Sequence, residues 1–107
     1  MDILKIEDMK GGWFIGDFEP TAYKTKEFEV GVKTHPKGEV WDVHYHKLAT
    51  EINYLIQGRM LIQDTELNSG DIFILHPNEI ANPVFIEDCT IITVKTISSI
   101  GDKYVVK

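Results

Sequence analysis

The sequence predicts an all-β fold, either a sandwich of two sheets or a closed barrel. About nine or ten short segments have the composition and alternation of strands, and they follow one another at spacings of roughly 8–12 residues. Turns rich in glycine, proline and asparagine separate them, as at residues 35–38, 68–71 and 77–78. No segment carries the 3.6-residue apolar period of a helix. Short, evenly spaced strands without helices are typical of sandwiches and barrels.

The first predicted strands lie before residue 35. Residues 13–18, WFIGDF, form a short aromatic strand that ends before Pro20. Residues 27–33 alternate, which predicts a half-buried antiparallel strand. One face of that strand carries Phe28, Val30 and Val32, and the other carries Glu27, Glu29, Gly31 and Lys33. His35 follows in a turn with Pro36 and is expected to face solvent.

The next two strands carry the most polar positions of the chain. Residues 41–46 place Asp42, His44 and His46 on one face, with Trp41, Val43 and Tyr45 on the other. Residues 50–57 place Glu51, Asn53, Leu55 and Gln57 on one face, with Ile52, Tyr54 and Ile56 on the other. Gly58 ends this strand, and residues 59–64 return beside it as a hairpin partner.

The second half of the chain contains four more strands. Residues 72–75, IFIL, form a continuous apolar run, as expected for a strand buried on both faces. Residues 84–86 and 90–98 form two strands, and residues 104–106 form a last short one. Lys95 lies in the middle of its strand, where it is either a solvated rim residue or an inward polar group.

Length and charge limit the classes of protein that the chain could represent. We expect the 107 residues, 1–107, to form one domain that buries roughly 60–70% of its unfolded surface. A formal net charge of −6 without a basic patch argues against nucleic acid as a partner. No apolar run is long enough for a membrane span, and the charged N-terminus lacks a signal-peptide core. The single cysteine, Cys89, fits a reducing compartment, so we expect a cytoplasmic location.

Three side chains that can bind a metal lie close together in the predicted strands. His44 and His46 are two residues apart, so both point to the same face of a strand. The four residues between His46 and Glu51 allow a turn, and a returning strand would bring Glu51 beside the two imidazoles. Two imidazole nitrogens and one carboxylate oxygen suit a divalent metal and leave coordination positions open.

The same stretch resembles the first motif of the cupin family. The pattern G-x5-H-x-H-x(3,4)-E-x6-G is matched at every fixed position, by Gly38, His44, His46, Glu51 and Gly58. The resemblance implies a jelly-roll β-barrel, also called a double-stranded β-helix, with a pocket at its centre. It implies no particular reaction, because one fold hosts many functions.

The second cupin motif is degenerate, and its histidine is missing. Gly70 begins the match, Pro77 lies one place late, and the histidine position falls on Ala81 or Asn82 according to the residue from which one counts. A metal would then be held by His44, His46 and Glu51 alone, or with Asn82 as a weak fourth ligand. Mn, Fe, Ni and Zn are the candidate ions. Alternatively, the pocket binds no metal.

The predicted pocket leaves three functions open. Asn53 and Gln57 share the face of Glu51, and His76 follows a buried strand near the mouth, so these three are candidate substrate contacts. The first function is a metal-dependent enzyme, an isomerase or dioxygenase, for a small polar or carbohydrate-like substrate. The second is a non-catalytic module that binds a sugar or carboxylate. The third is a metal-free sugar-nucleotide isomerase or epimerase with a histidine base and Tyr45 or Tyr54 as acid, although both tyrosines lie on the opposite faces.

The aromatic strand also predicts an assembly. Residues 13–18 carry more apolar surface than one small barrel needs, and edge strands have to be covered. Pairing of this strand across a two-fold axis would cover it, so we expect a homodimer.

Overall fold

A computed structural model describes residues 1–106, and almost all of its regular structure is β-strand. The only helical piece in this range is a three-residue 3-10 turn at Ile6–Asp8, and none of its helices could cross a membrane. The strands are β1 (Trp13–Ile15), β2 (Glu29–His35), β3 (His44–Tyr45), β4 (Thr50–Gln57), β5 (Arg59–Ile62), β6 (Thr65–Asn68), β7 (Ile72–Leu75), β8 (Val84–Phe85), β9 (Cys89–Thr96) and β10 (Tyr104–Val105).

The largest sheet has five antiparallel strands in the order β1-β2-β9-β4-β7. Its long strands, β2, β4 and β9, are the alternating segments of the sequence. A second sheet has the order β6-β5-β8, and β3 pairs with β10 in a small third sheet. The ladders do not close into one continuous barrel. The two larger sheets instead contribute side chains to a common interior, as in a jelly roll.

The core lies between the two larger sheets. Its most buried side chains are Leu55 from β4, Met60 from β5 and Cys89 from β9. Phe85 from β8 and Ile91 from β9 complete this layer. Burial of these side chains removes apolar surface from water, which is the main force that holds the sheets together.

The prediction of an all-β jelly roll is confirmed. In an ordinary half-buried strand the apolar side chains point inward and the polar ones outward, but in β2 and β4 this order is reversed. In β2 the inward positions are Gly31, Lys33 and His35, and the valines between them point outward. In β4 the inward positions are Glu51, Asn53 and Leu55, and the apolar residues between them are exposed. The large sheet therefore presents polar side chains to the interior and apolar side chains to the outside.

Candidate functional site

A pocket of about 220 Å³ opens between the two larger sheets. One part of its wall is apolar and consists of Met60, Ile62, Phe73, Leu75, Phe85 and Ile91. The polar and basic side chains of the wall come mainly from β2, β4 and β9 and from the segment that contains β3. At this volume the pocket lies below the roughly 300–1,000 Å³ typical of drug-sized ligands, so it suits a small metabolite.

Two buried histidines enter the pocket, His44 from β3 and His46 from the position directly after it. This strand is positioned by β10 on one side and by a two-way backbone bridge between His44 and Ala81 on the other. His44 Nδ1 lies 2.9 Å from the carbonyl of Asp42, and His46 Nδ1 contacts the carbonyl of Asp102. Because a carbonyl only accepts, both Nδ1 atoms carry protons, and each ring turns its Nε2 away from these carbonyls. Burial also lowers the pKa of His44, which favours its neutral form.

Glu51 faces the histidines from β4. Its Oε2 lies 3.4 Å from His46 Nε2, so a doubly protonated His46 would form an ion pair with it. Burial alone would raise the pKa of Glu51, but the contact with His46 and the positive charge of Lys95 hold the pKa below its ordinary value. Glu51 is therefore an ionised carboxylate in the pocket at neutral pH.

Asn53 presents a buried polar group without a partner. Its side chain is only 2% exposed, and its Oδ1 accepts a 2.8 Å hydrogen bond from the hydroxyl of Thr93. Its Nδ2 has no hydrogen-bond partner among the described residues. Reversing the amide would exchange the two atoms and still leave one of them unsatisfied. Such a group costs about 1–3 kcal/mol unless a water or ligand satisfies it.

Three lysines line the same pocket, and each lies over a tryptophan. The ammonium groups of Lys33 and Lys95 are 5.1 and 5.0 Å from the ring centre of Trp13, which lies over Gly31. Lys103 lies 5.5 Å from the ring centre of Trp41. These distances allow cation–π attraction. Burial is the main cause of a lowered pKa at Lys33, and repulsion from Lys95 adds to it.

His35 is buried and belongs to the pocket wall, so the prediction that it faces solvent is wrong. It stacks on Phe85 and meets Trp41 edge-on, and its Nδ1 lies 2.5 Å from Glu39 Oε2. The indole N–H of Trp41 donates to the same oxygen at 2.8 Å. Burial opposes ionisation of Glu39, but these two hydrogen bonds hold its pKa below the ordinary value.

Asp102 ties the C-terminal segment to the histidine strand. Its carboxylate accepts backbone hydrogen bonds from Lys47, Leu48 and Ala49 at 2.9–3.2 Å, and its own carbonyl contacts His46 Nδ1. Burial opposes ionisation of Asp102, but the three backbone N–H groups lower its pKa. One residue therefore fixes both the loop after β3 and the orientation of His46.

The structure brings four of the seven predicted site residues together in the pocket wall. The other three, Gln57, His76 and Asn82, lie outside it. His44, His46, Glu51 and Asn53 all line the pocket. Gln57 is exposed, because a register shift between Leu55 and Gln57 breaks the alternation of β4. His76 is exposed in the turn after β7.

The position of the missing third histidine is also resolved. Ala81 is buried, bridges His44 and lines the pocket, so it occupies that position. Asn82 lies outside the pocket wall, where its Oδ1 accepts a 2.8 Å hydrogen bond from the backbone of Gln63. It is therefore not placed to act as a fourth ligand.

The pocket lysines were the main residues not recognised in the sequence. The alternation of residues 27–33 does assign Lys33 to a polar face, but it does not say that this face is the inner one. The same ambiguity applied to Lys95, which turns out to be the inward polar group. Lys103 has no periodic signal, because it lies in the segment before β10.

The donor chemistry of the site suits a metal only in part. Two imidazole nitrogens and a carboxylate are appropriate ligands, but a methyl group at Ala81 replaces the third imidazole. Within residues 1–106, no group of three or more histidine, cysteine or acidic side chains is arranged to hold an ion. The described side chains therefore do not form a ready-made metal centre.

Comparison with known proteins identifies the fold. The chain matches no protein-family model and no curated protein. It is similar to KdgF from Halomonas sp., with 21% identity over 71% of this chain and 74% of that one, at a TM-score of 0.63. It is also similar to a conserved protein with a double-stranded β-helix domain from Klebsiella pneumoniae, with 17% identity over 100% and 98% of the chains, at a TM-score of 0.69.

A third similar structure carries the family name in its description. It is a cupin-2 domain-containing protein from Shewanella frigidimarina, with 14% identity over 67% of this chain and 72% of that one, at a TM-score of 0.55. The chain therefore has the cupin fold, as the motif in residues 38–58 predicts. Identities of this size show the fold alone.

Proposed function

We propose that the pocket binds a small organic anion, a metabolite with a carboxylate group. The observation that carries this proposal is the convergence of Lys33, Lys95 and Lys103 on one pocket whose wall holds a single carboxylate, that of Glu51. Of the three functions that the sequence leaves open, this one corresponds to the carboxylate-binding module. It is unexpected in a chain whose formal net charge is −6.

None of the three lysines forms an ion pair among the described residues, and Glu51 is the one carboxylate of the pocket wall that partly balances their charge. Among residues 1–106, no carboxylate lies within 4.0 Å of their ammonium groups, whereas Lys24 and Arg59 on the surface both have acidic partners. Burial and mutual repulsion already lower the pKa of Lys33. An anion between the ammonium groups would relieve that repulsion and form charge-assisted hydrogen bonds.

The remaining wall residues indicate which other chemical groups the anion would contain. The free N–H of Asn53 supplies a donor for a second ligand oxygen, such as a hydroxyl or carbonyl. The apolar wall formed by Phe73, Leu75 and Phe85 would cover a hydrocarbon or ring face. Neither Tyr45 nor Tyr54 belongs to the pocket wall, which disfavours the metal-free isomerase with a tyrosine acid.

A thermal-shift and calorimetric screen with small carboxylates tests the proposal. Acetate, benzoate, succinate and galacturonate would each be compared with the corresponding uncharged amide in chloride-free buffer. We expect at least one carboxylate to raise the melting temperature and its amide to leave it unchanged. We expect Lys95→Met to weaken binding of that carboxylate about 10-fold or more, because a charge-assisted hydrogen bond contributes roughly 1.5–3 kcal/mol.

The matched control is Lys37→Met, which removes an exposed lysine outside the pocket wall. This variant should bind the carboxylate as the native protein does. Equal effects of carboxylates and amides, or native affinity in Lys95→Met, would contradict the proposal.

A divalent metal at His44, His46 and Glu51 is the second candidate. It is favoured by the two Nδ1–carbonyl contacts, which leave each Nε2 free to act as a ligand. A bound ion would supply Lewis-acid chemistry to the pocket. Because the described side chains are not gathered around a common point, we expect binding to require a side-chain shift and to be modest in affinity.

Titration with Mn²⁺, Ni²⁺ or Zn²⁺ alone, followed by calorimetry, tests the metal candidate. We expect His46→Ala to abolish binding and His76→Ala, at an exposed histidine outside the pocket, to preserve it. Affinity should fall at acidic pH, because a protonated imidazole does not bind metal, and burial, which lowers the pKa of His44, keeps that ring neutral further into the acidic range. Absence of binding to the native protein, or equal binding by both variants, would rule out the metal and leave the carboxylate proposal intact.

A further inference from the structure

The outer face of the five-stranded sheet is apolar and uncovered over most of its area. On β4 and β7 the outward side chains are Ile52, Tyr54, Ile56, Ile72 and Ile74, which are 36, 42, 40, 67 and 46% exposed. In the sheet register Ile52 lies opposite Ile74, and Tyr54 lies opposite Ile72. These side chains therefore form one continuous surface across two neighbouring strands.

The same surface continues onto β9 and β2. Ile92 and Val94 on β9 lie beside Tyr54 and Ile52, and Val32 and Val30 on β2 lie beside them in turn. The remaining outward positions on these four strands are polar but uncharged: Thr34, Thr50, Gln57, Thr90 and Thr96. None of these outward positions is charged, although 26% of the residues in the chain are. They lie within residues 30–34, 50–57, 72–74 and 90–96.

The exposed apolar surface on β4 and β7 is as large as the largest patches that monomers leave open. With full side-chain areas of roughly 200 Å² each, the five exposed residues of β4 and β7 show on the order of 500 Å² of apolar surface, at the upper end of the roughly 300–600 Å² typical of a monomer's largest patch. The partly covered residues of β9 and β2 add to it. A standard interface buries about 800 Å² per partner, so this face has the size of one half of such an interface.

We propose that a second copy of this chain packs face to face on the outer surface of β2, β9, β4 and β7. A two-fold interface requires a surface that complements itself, and an uncharged sheet face meets this requirement because no like charges are brought together. β-sheets pack on one another at about 10 Å with aligned strands, and β-branched side chains interdigitate well across such a layer. A partner with a charged surface would find no counter-charge on these positions.

This surface differs from the aromatic strand of residues 13–18 that the sequence suggests for a dimer. Trp13 lies over Gly31 beneath two lysines of the pocket, and Phe14 and Phe18 are partly buried. The apolar side chains on the outer face of β4 and β7 are more exposed than these aromatic residues. The proposal does not depend on what the pocket binds.

Light scattering during size-exclusion chromatography, at about 50 µM protein, tests the interface. We expect the native chain to elute with a mass of about 24 kDa, twice the 12.2 kDa of one chain. We expect Ile74→Lys to elute at the mass of one chain, because a two-fold axis would bury the introduced ammonium group in both copies. Circular dichroism checks that the variant retains its β structure, and Ile72→Lys, at the most exposed position of the face, is the second variant if it does not.

The matched control is Val84→Lys, which adds the same charge at a similarly exposed strand residue, 53%, on the smaller sheet. This variant should remain a dimer. If the native protein elutes with the mass of one chain, the proposal is overturned, and the apolar face would have to be covered by a different protein. Dimers of both Ile74→Lys and Ile72→Lys, or dissociation of Val84→Lys as well, would also overturn it.

Discussion

Replacing Asp102 by alanine is expected to lower the free energy of unfolding by about 3 kcal/mol. The carboxylate accepts hydrogen bonds from three consecutive backbone N–H groups, and alanine would leave those of Lys47, Leu48 and Ala49 without an acceptor. Urea denaturation followed by circular dichroism measures the loss. The loosened segment also carries the carbonyl that contacts His46, so ligand affinity should fall together with stability.

The pH dependence of stability distinguishes hydrogen bonding by the ionised Asp102 carboxylate from a contribution of its side chain to packing alone. Because the pKa of Asp102 is lowered on folding, the stabilisation by its carboxylate is complete above the unfolded-state value of about 3.9 and is lost as the pH falls through the folded-state pKa. The difference in stability between native protein and variant should therefore shrink below about pH 3.9. Asp102→Asn, which keeps one acceptor oxygen, should lie between the two. An alanine variant as stable as the native protein would disprove this role.

Replacing Gly58 by alanine is expected to lower the free energy of unfolding by about 4 kcal/mol, from a positive φ and a steric clash together. The backbone of Gly58 has φ +106°, and an added Cβ would lie 2.4 Å from the carbonyl oxygen of Asp88 and 2.7 Å from the sulfur of Cys89. Backbone and a buried side chain cannot both move aside without opening the core around Cys89.

The other glycine of the motif provides the control. Gly38 also has a positive φ, +80°, but an added Cβ would meet nothing within 4 Å. Gly38→Ala should therefore cost only the conformational strain, about 1–2 kcal/mol. Denaturant titrations of the two variants should differ by at least about 2 kcal/mol. Equal losses would show that the contact at Gly58 is unimportant.

The sequence predicts the strands well because their signals are local. Turn residues mark the ends of β2, β4, β7 and β9, and side-chain alternation separates the two faces of β2 and β4. The apolar run of β7 has no alternation, and the prediction that this strand is buried on both faces is wrong, because Ile72 and Ile74 are exposed.

The spacing of His44, His46 and Glu51 brings all three to one pocket wall, because strand alternation decides which face they share. They are not gathered around a common point, and their role as ligands stays a prediction. Asn53 lines the same pocket for the same reason.

The remaining site residues depend on features that are not local. Gln57 was assigned to the pocket by alternation, and a register shift two residues earlier moves it out. Asn82 was a candidate ligand by counting, and only the backbone bridge of Ala81 to His44 shows which residue faces the pocket. Lys33 and Lys95 became recognisable as pocket residues only when the packing of the two sheets showed which face of β2 and β9 is the inner one.

The attachment of the histidine strand has a consequence for how the pocket opens. β3 has two residues and is held by two-residue β10, by the bridge to Ala81, and by single backbone hydrogen bonds that link Asn78 to His46 and Val106 to Val43, whereas β4 and β9 pair along most of their length. Segments with few backbone hydrogen bonds open locally at a lower free energy than the rest of a protein. We therefore expect His44, His46 and residues 102–106 to open as a unit before the five-stranded sheet unfolds. A ligand that requires the histidines in place would bind only the closed form, so its apparent affinity would be the intrinsic affinity multiplied by the fraction of molecules in which this unit is closed.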